Sequence, residues 1–502
     1  MNSQSSTAPF SQHTALSELE TWFYALKSAY QQDTQPTLED RKAQLSALKT
    51  QLRRYQNVLA QAMSEDFGGR SHSESLMADV LGPILDINHV QSHLRRWMRP
   101  KRRPTEWLFK GNKLELRYQP KGVVGIICPW NFPLYLSLGP LITALAAGNR
   151  CMIKMPPNCP KTTSALKAML AEIYSEDRVC VVPGDHPQAM EISHLPFDHL
   201  VFTGSPNSGK IIMANAAKNL TPVTLELGGK SPAVIFDDYD IQQAASRIAH
   251  GKSFNAGQIC IAPDYAFVPN EKVDAFVEAL SRAYNKMYSG IADNADCTSL
   301  VDNAQFERFQ ALVEDAKAKG ANIIKCRDDS DKRKMPLHIA TNLSPEMRIC
   351  QEEIFGPLLP VHGYNSLEEV ADYITNRPRP LACYLFSHDK ERREWMLERT
   401  HSGGVTINDW GWHALNHAVP FGGIGNSGIG NYHGEEGFRE LSHARTVLQM
   451  RRWFPISIFA PPYGNLAQRL VMRLFIGKPD PMLSTQDNAN AAIETPNIAS
   501  GR

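Results

Sequence analysis

The stretch "FTGSPNSGK", residues 202–210, joins a strand to a helix through a glycine turn. Residues 199–202 predict a buried strand and residues 210–217 predict a helix. Unpaired N–H groups and the helix dipole make such a turn a good site for a phosphate group. The spacing G-x-x-x-x-G-K matches a nucleotide phosphate loop, but Ile211 stands where a magnesium-binding Ser or Thr belongs. We favour a magnesium-independent dinucleotide site over a turn without ligand and over a nucleotide triphosphatase.

The same strand-to-helix pattern repeats along the chain. Apolar strands alternate with helical stretches such as residues 160–174, and this alternation predicts βαβ units and a parallel sheet. A second mixed block runs from "TLELGGKSP", at 224–232, to about residue 408. The predicted strands of the first block and of its junction with the second are 122–128, 150–155, 179–182, 199–202 and 233–236.

Composition narrows the class of protein. The 502 residues include 53 Lys and Arg against 52 Asp and Glu, so no excess charge indicates a nucleic-acid partner. The nine cysteines are dispersed without a C-x-x-C pair or a zinc spacing, which predicts reduced thiols and no metal site. The first twenty residues have neither a basic start nor an apolar core. We therefore expect a cytoplasmic enzyme for small molecules.

The long uncharged segment 122–149 resembles a membrane span in length. Pro129 and Pro133 in "CPWNFP" interrupt it, because proline removes a backbone donor and breaks a helix. The segment instead predicts a buried strand, a loop and a buried helix that ends near Gly148.

Four features suggest chemistry, and each has an ordinary structural alternative. Cys260 in "FNAGQIC" is a nucleophile or a small buried hydrophobe. Glu226 in an apolar strand is a base or a salt-bridged structural acid, and Asn131 is an oxyanion donor or a turn residue. In "EEIFGP", Glu352 and Glu353 precede Phe355, which packs against a flat ring, or the segment is a solvated acid pair with a core phenylalanine.

Taken together, these segments resemble the NAD(P)-dependent aldehyde dehydrogenase superfamily. The resemblance covers roughly residues 40–450, and it is strongest to the class 3 group of fatty and coniferyl aldehyde dehydrogenases. The shared motifs, in the family's order, are "PWNFP" at 129–133, "GN" at 148–149, "FTGS" at 202–205, "LELGGKSP" at 225–232, "FNAGQIC" at 254–260, "EEIFGP" at 352–357 and "PFGGIGNSGIG" at 420–430.

The resemblance implies a role for each matching residue. Cys260 would attack the aldehyde, Asn131 would hold the oxyanion, and Glu226 would activate water against the thioester. It implies NAD or NADP as cofactor. The cofactor contacts it implies are Trp130, Lys154, Gly204, Ser205, Gly209, Glu353 and Phe355.

One departure concerns the choice of cofactor. The family commonly has a glutamate at the adenosine ribose, where this chain has Pro157 in "KMPP". Such a glutamate binds the ribose hydroxyls and repels a 2′-phosphate. Without it, NADP is not excluded.

The matching substrate-channel positions are apolar or aromatic, which favours an apolar aldehyde. A predicted basic amphipathic helix at 465–475 lies on a membrane, or it packs on a partner subunit or on its own domain. Membrane contact would suit long-chain aldehydes, so we rank these slightly above coniferyl-type aromatic ones. An acylating dehydrogenase and an inactive structural relative rank lower. The channel residues implied are Tyr135, Leu136, Phe254, Trp410 and Trp412.

We expect an α/β fold with a Rossmann-like cofactor domain, an α/β catalytic domain and a small bridging hairpin, assembled as a homodimer. The tail after Pro479 is expected to be disordered. The predicted divisions are a helical part of the cofactor domain at 1–100, a bridging hairpin at 101–121, the dinucleotide-binding domain at 122–225, the catalytic domain at 226–418, a return segment at 419–460 and a C-terminal extension at 461–502.

Overall fold

The structure is a computed structural model, and it describes residues 17–187, 189–330, 333–452, 454 and 456–478. The predictions made for the first residues and for the tail after Pro479 lie outside the described residues. Two compact units form, one from residues 1–100 with 117–445 and one from residues 101–116 with 446–502.

Helices cover both large sheets of the first unit. Most begin where the sequence supplies a cap or a proline, as at α7, where the Ser205 side chain accepts a hydrogen bond from Ser208 N–H. The helices of the described residues are α1 Glu18–Gln32, α2 Leu38–Phe67, α3 His72–Ser75, α4 Gly82–Met98, α5 Tyr135–Ala147, α6 Pro160–Ala171, α7 Pro206–Ala217, α8 Ile241–Ser253, α9 Val273–Met287, α10 Asn303–Ala318, α11 Arg348–Gln351, α12 Leu367–Thr375, α13 Lys390–Arg399, α14 Gly434–Glu440 and α15 Leu466–Phe475.

The strands form three sheets, and the two large ones are mostly parallel. Their central strands are buried on both faces, as the continuous apolar runs predict. The strands are β1 Lys101–Arg103, β2 Lys113–Pro120, β3 Val123–Ile127, β4 Arg150–Lys154, β5 Val179–Val182, β6 His199–Gly204, β7 Val223–Leu227, β8 Pro232–Ile235, β9 Tyr265–Pro269, β10 Asn322–Lys325, β11 His338–Thr341, β12 Leu358–Tyr364, β13 Ala382–Phe386, β14 Gly404–Ile407, β15 Gly428–Ile429 and β16 Ser442–Gln449.

The order and direction of the strands define the three sheets. The first large sheet has the order β15-β7-β6-β3-β4-β5, with only β15 antiparallel to its neighbour. The second has the order β10-β11-β12-β9-β8-β13-β14, with β10 antiparallel. The third has the order β1-β2-β16. The predicted α/β class with parallel sheets is confirmed.

Most predicted elements are confirmed, with differences at their ends. The segment 122–149 folds as β3, a loop and α5, and Gly148 ends the helix in a left-handed conformation with φ 92°. Helix α7 begins at Pro206 rather than at residue 210, because proline fits the first turn and Ser205 caps it. Helix α6 ends at Ala171, three residues before the predicted end.

The segment before β3 forms the predicted antiparallel ladder. Lys101 pairs with Leu116 and Arg103 pairs with Leu114, so β1 and β2 lie side by side. A short 3₁₀ helix, Trp107–Phe109, lies in the connection between the two strands. No helix among the described residues combines the length and the apolar character that crossing a membrane requires.

Gly209 allows α7 to pack closely on β7. A Cβ atom at this position would lie 2.7 Å from Leu227 Cδ2 in the buried core. We expect Gly209→Ala to lower the free energy of unfolding by about 1–3 kcal/mol, because overpacking displaces a buried side chain. Chemical denaturation measures it. Gly290→Ala is the control, since the nearest atom to its Cβ would be 3.6 Å away, and equal effects of the two variants would contradict the packing argument.

Candidate active site

The cleft of the first large sheet lies at the carboxyl ends of β3 and β6. These strands are parallel neighbours, with Ile127 opposite Phe202, but the chain leaves β3 toward β4 on one side and returns to β6 on the other. Loops that follow such strands diverge and leave a crevice where α/β proteins bind ligands. The loop with Asn131 follows β3, and the turn with Ser205 follows β6.

The segment before Cys260 has an unusual backbone. Asn255, Ala256 and Gly257 follow one another with φ of 50°, 54° and 71°, in a region where residues other than glycine are strained. A Cβ atom on Gly257 would lie 2.6 Å from the carbonyl oxygen of Gly356. This close approach brings the Cys260 loop against the "EEIFGP" segment and leaves the Cys260 thiol half-buried.

The buried amide of Asn131 contacts the same loop. Its Nδ2 donates to the backbone carbonyl of Gln258 at 3.1 Å, and the backbone carbonyl of Asn131 accepts from Asn255 Nδ2 at 3.1 Å. An amide has two N–H groups, so one remains for another acceptor. The structure therefore brings the predicted Asn131 to the Cys260 loop, although the two residues are far apart in sequence.

A buried ion pair holds the Asn131 loop in place. Arg70 Nη2 lies 2.8 Å from Asp79 Oδ2, and both side chains are 0% exposed. Arg70 Nη1 also donates to the carbonyl of Asn131 at 3.0 Å, while Asp79 Oδ1 accepts from the N–H groups of Leu134 and Tyr135. The pair thus joins the N-terminal helices to the start of α5.

Glu226 lies in β7 with both carboxylate oxygens buried and without a hydrogen-bond partner. Burial raises its pKa well above the usual range of a carboxyl group. Burial also raises the pKa of Cys260 to about 12, and the negative charges of Glu353 and Glu226 add to this effect. The Cys260 thiol therefore lies within electrostatic reach of both carboxyl groups, in a region of low polarity.

The Glu353 carboxylate packs against the backbone of Gly228, which follows the strand of Glu226. A side chain at Gly228 would overlap the Glu353 carboxylate, so glycine is required there. Burial, with the nearby charge of Asp264, raises the pKa of Glu353 to about 8. Phe355 has φ 50°, and its ring meets Trp130 edge-on with centroids 5.4 Å apart. The strained backbone of Phe355 points to a required ring position.

Lys154 ends β4 and Ser205 follows β6, the two strands that flank β3 in the first sheet. Lys154 is 8% exposed, and its side-chain ammonium has no hydrogen bond or ion pair to a described residue. Burial lowers its pKa. Ser205 caps α7, Gly204 packs over the Phe202 ring, and Gly209 lies in the first turn. An ammonium group without a protein partner at the carboxyl end of a strand is available to a polar ligand.

Aromatic side chains gather beside the Cys260 loop. Phe254 lies 6.4 Å from Phe132 and 6.5 Å from Trp410, measured between ring centroids. Trp410 Nε1 donates to His250 Nδ1 at 3.0 Å, and Gly251 admits the indole ring, since a Cβ atom there would lie 2.6 Å from it. We call Phe132, His250, Phe254 and Trp410 the aromatic wall.

The other predicted channel residues have different surroundings. Tyr135 is half-buried, with its hydroxyl 3.4 Å from His433 Nε2, and Leu136 is buried in the core next to it. Trp412 is 50% exposed on a 3₁₀ turn and makes no ring contact with the aromatic wall. The structure thus joins Phe254 with Trp410 and leaves Trp412 apart from them.

Sequence reasoning missed several residues that position the site. Phe132, His250, Arg70 and Asp79 were not singled out, and neither was Glu74, which accepts from Asn255 N–H and from the Thr298 hydroxyl. A signal existed for Asp79, since it is an acid between the apolar residues Ala78 and Val80. No local sequence pattern indicated Arg70 or His250, because Arg70 binds the distant carbonyl of Asn131 and His250 binds the distant Trp410.

The fold and this cluster of thiol, amide and isolated carboxylate define an oxidoreductase of the aldehyde-oxidising class. The model of the aldehyde dehydrogenase family matches residues 8–447. The chain belongs to the aldehyde dehydrogenase family, whose members oxidise aldehydes with NAD or NADP as the electron acceptor.

Relatives in sequence place the chain in the class 3-like group that its motifs resemble. It is 44% identical to a probable coniferyl aldehyde dehydrogenase of Pseudomonas aeruginosa, over 92% of this chain and 97% of the relative. It is 41% identical to a coniferyl aldehyde dehydrogenase of a Pseudomonas species, over 84% and 89%. It is 36% identical to mouse aldehyde dehydrogenase family 3 member B2, over 90% and 94%. The predicted resemblance is confirmed.

Solved structures confirm the predicted fold. A substrate-bound AldH of Staphylococcus aureus superposes with a TM-score of 0.86 at 32% identity, covering 91% of this chain and all of that one. An NAD⁺ complex of aldehyde dehydrogenase from Bacillus cereus superposes with a TM-score of 0.79 at 28% identity, covering 86% and 89%.

The residues of the cleft fit a dinucleotide. The unpartnered ammonium of Lys154 suits a hydroxyl or phosphate oxygen, and the Glu353 carboxylate over Gly228 suits a ribose hydroxyl. Helix α7 directs its N-terminus toward the end of β6, where a phosphate is favoured.

The Arg70–Asp79 pair gives a testable consequence for stability. We expect Asp79→Ala to lower the free energy of unfolding by about 3–5 kcal/mol, because it leaves a buried guanidinium without its counter-ion. Thermal and chemical denaturation measure it. Glu278→Ala, which removes the exposed ion pair with Arg282, is the control and is expected to cost no more than about 1 kcal/mol. An equal loss of unfolding free energy in Asp79→Ala and in this control would contradict the expectation.

Proposed function

We propose that this protein oxidises coniferyl-type aromatic aldehydes to carboxylic acids with NAD or NADP. The observation that carries the proposal is the aromatic wall beside the Cys260 loop, since flat rings favour a flat aromatic substrate. Relatives described as coniferyl or probable coniferyl aldehyde dehydrogenases support the same choice. The sequence alone favours long-chain aldehydes as substrates. The relatives favour aromatic aldehydes of the coniferyl type instead.

Cys260 is the proposed nucleophile. Its thiolate sulfur bonds to the aldehyde carbon, and the carbonyl π electrons move to the oxygen, which becomes an oxyanion. The free N–H of the Asn131 amide and the backbone N–H of Cys260 are the proposed donors to that oxyanion. A donor of this kind is typically worth about 3–4 kcal/mol to the transition state. Bound NAD or NADP supplies the acceptor for the hydride that the adduct then releases, and this leaves a thioester on Cys260.

Glu226 is the proposed base for hydrolysis of the thioester. Its carboxylate takes a proton from water as the water oxygen bonds to the acyl carbon. The carbon–sulfur bond then breaks, and the acid leaves. A carboxylate with no hydrogen-bond partner is well suited to this task, because its oxygens are free to accept a proton.

Seven residues are the proposed contacts of the cofactor. Lys154 and Glu353 bind ribose hydroxyls, Ser205 with Gly204 and Gly209 forms the pyrophosphate turn, and Trp130 with Phe355 lies beside the flat rings. Pro157 is exposed at the position where the family commonly has its ribose-binding glutamate, so we propose that both NAD and NADP are accepted.

Other predictions from the sequence remain proposals. They are the six domain divisions, the homodimer and the peripheral membrane contact of residues 465–475. An acylating dehydrogenase is less well supported, because transfer to coenzyme A needs no water-activating base and Glu226 is present. An inactive relative is less well supported because Cys260, Glu226 and Asn131 occur together.

Activity should rise with pH. The raised pKa of Glu226 means that the carboxyl group is protonated at low pH and becomes a base only as pH increases, and the Cys260 thiol must lose its proton as well. We expect kcat of the wild type to increase steadily from about pH 6 to about pH 9, measured as NAD(P)H formation. A kcat that falls over this range would contradict the assignment.

Variants separate the two chemical steps. Cys260→Ala should abolish NAD(P)H formation. Glu226→Gln should lower kcat by about 100-fold or more while keeping an initial burst of about one NAD(P)H per active site, because only hydrolysis loses its base. Glu352→Gln, an exposed neighbour of Glu353, is the control and should leave kcat unchanged. Turnover by Cys260→Ala, or full steady-state turnover by Glu226→Gln, would overturn the mechanism.

The substrate class is tested by initial rates. We expect a higher kcat/KM for coniferaldehyde than for decanal and for succinic semialdehyde, with NAD and with NADP alike, because the aromatic wall contacts a flat ring. A higher value for decanal would restore the long-chain ranking. Formation of a coenzyme A thioester, with activity dependent on coenzyme A, would instead establish the acylating alternative.

A further inference from the structure

The second compact unit carries an exposed apolar row that nothing among the described residues covers. In α15, Leu466, Leu470 and Leu474 are 83%, 69% and 69% exposed. They are spaced four residues apart, so they lie on one side of the helix. A ten-residue helix is too short to be stable in water by itself and depends on packing of its apolar face. The leucine row is therefore a surface that requires a partner.

The opposite side of α15 already has contacts within its own unit. Gln468 and Val471 are half-buried, and the ring of Phe475 lies 5.2 Å from that of Trp107. These contacts orient the helix and leave the leucine row outward. Trp107 is itself 60% exposed, and tryptophan with one open face is typical of residues at a membrane interface.

Two arginines flank the leucine row. Arg469 and Arg473 each follow a leucine of the row by three residues, and both are exposed. This spacing puts a line of guanidinium groups beside the line of leucines along the helix. Long basic side chains keep their charge in the polar layer while their stems lie on apolar surface, so this arrangement fits the boundary between lipid headgroups and acyl chains.

The described residues of this unit carry an excess of positive charge. Residues 101–116 and 446–478 contain ten Lys and Arg but only two acids, Glu106 and Glu115, whereas the full chain has a net charge of only +1. A surface of this kind attracts an anionic partner. A second copy of the same surface would bring like charges together, and a nucleic acid would leave the leucine row uncovered.

We propose that this unit binds anionic phospholipid membranes at their surface, with the leucine row of α15 entering the headgroup boundary and the arginines contacting lipid phosphates. The proposal concerns the placement of the enzyme and is independent of its substrate. It refers to a surface contact, as no helix among the described residues is long and apolar enough to span a bilayer.

Sedimentation of the full-length protein with vesicles tests the proposal. One set of vesicles contains phosphatidylcholine alone, and the other contains equimolar phosphatidylcholine and phosphatidylglycerol. We expect binding to the anionic vesicles that weakens as salt is raised, since screening shortens the reach of the charges. No binding of the wild type to anionic vesicles at low salt would overturn the proposal.

Paired variants identify the surface. Leu470→Glu with Leu474→Glu should abolish binding, and Arg469→Gln with Arg473→Gln should weaken it by about 10-fold or more. The matched control is Val58→Glu with Arg53→Gln, which alters an exposed apolar and an exposed basic residue of α2 and should leave binding unchanged. All variants should keep the kcat of the wild type with a water-soluble aldehyde, which shows that they are folded.

Light scattering distinguishes membrane binding from the main alternative, an interface between two copies of the chain. If the leucine variant lowers the molar mass of the protein and the wild type does not bind anionic vesicles, the leucine row is an interface between two copies, and the proposal is wrong. Equal binding by the wild type and by the leucine variant would also overturn it.

Discussion

The buried ion pair between Arg70 and Asp79 is the interaction on which the cleft depends. Its two charges are removed from water, so each requires the other, and their remaining hydrogen bonds go to the backbone around Asn131 and to the first turn of α5. Asn131 in turn contacts both Asn255 and Gln258 of the segment that leads to Cys260. One pair of charges from the connections between α2, α3 and α4 thereby orders two loops that carry chemistry.

Low polarity is the second constraint, and it acts on the acidic groups. Cys260, Glu226 and Glu353 come from three separate segments, and burial raises the pKa of each. Such an arrangement costs stability, because a carboxyl group without a hydrogen-bond partner is expensive to bury. Proteins keep such a carboxyl group where a reaction needs it to change its protonation state. For this reason acids with perturbed pKa values cluster at functional sites.

Local signals in the sequence predicted the elements well. The apolar runs of β3, β4, β5 and β6, together with glycine at 148, predicted strands and a helix end that the structure confirms. The predicted start of α7 at residue 210 is four residues too late. The helix begins at Pro206 because Ser205 caps it and proline fits its first turn. The candidate residues could be identified because each lies in an unusual local context, such as an acid within an apolar strand.

The sequence by itself determined which residue types are available for chemistry and at which strand ends they stand, because these properties depend on local order along the chain. Only the tertiary structure decided that Asn131 meets Gln258, that Glu226 has no partner, and that Phe132 and Trp410 face Phe254. It also decided that the leucine row of α15 points outward. Contacts between distant segments and the burial of charge arise from packing, and no window of sequence contains them.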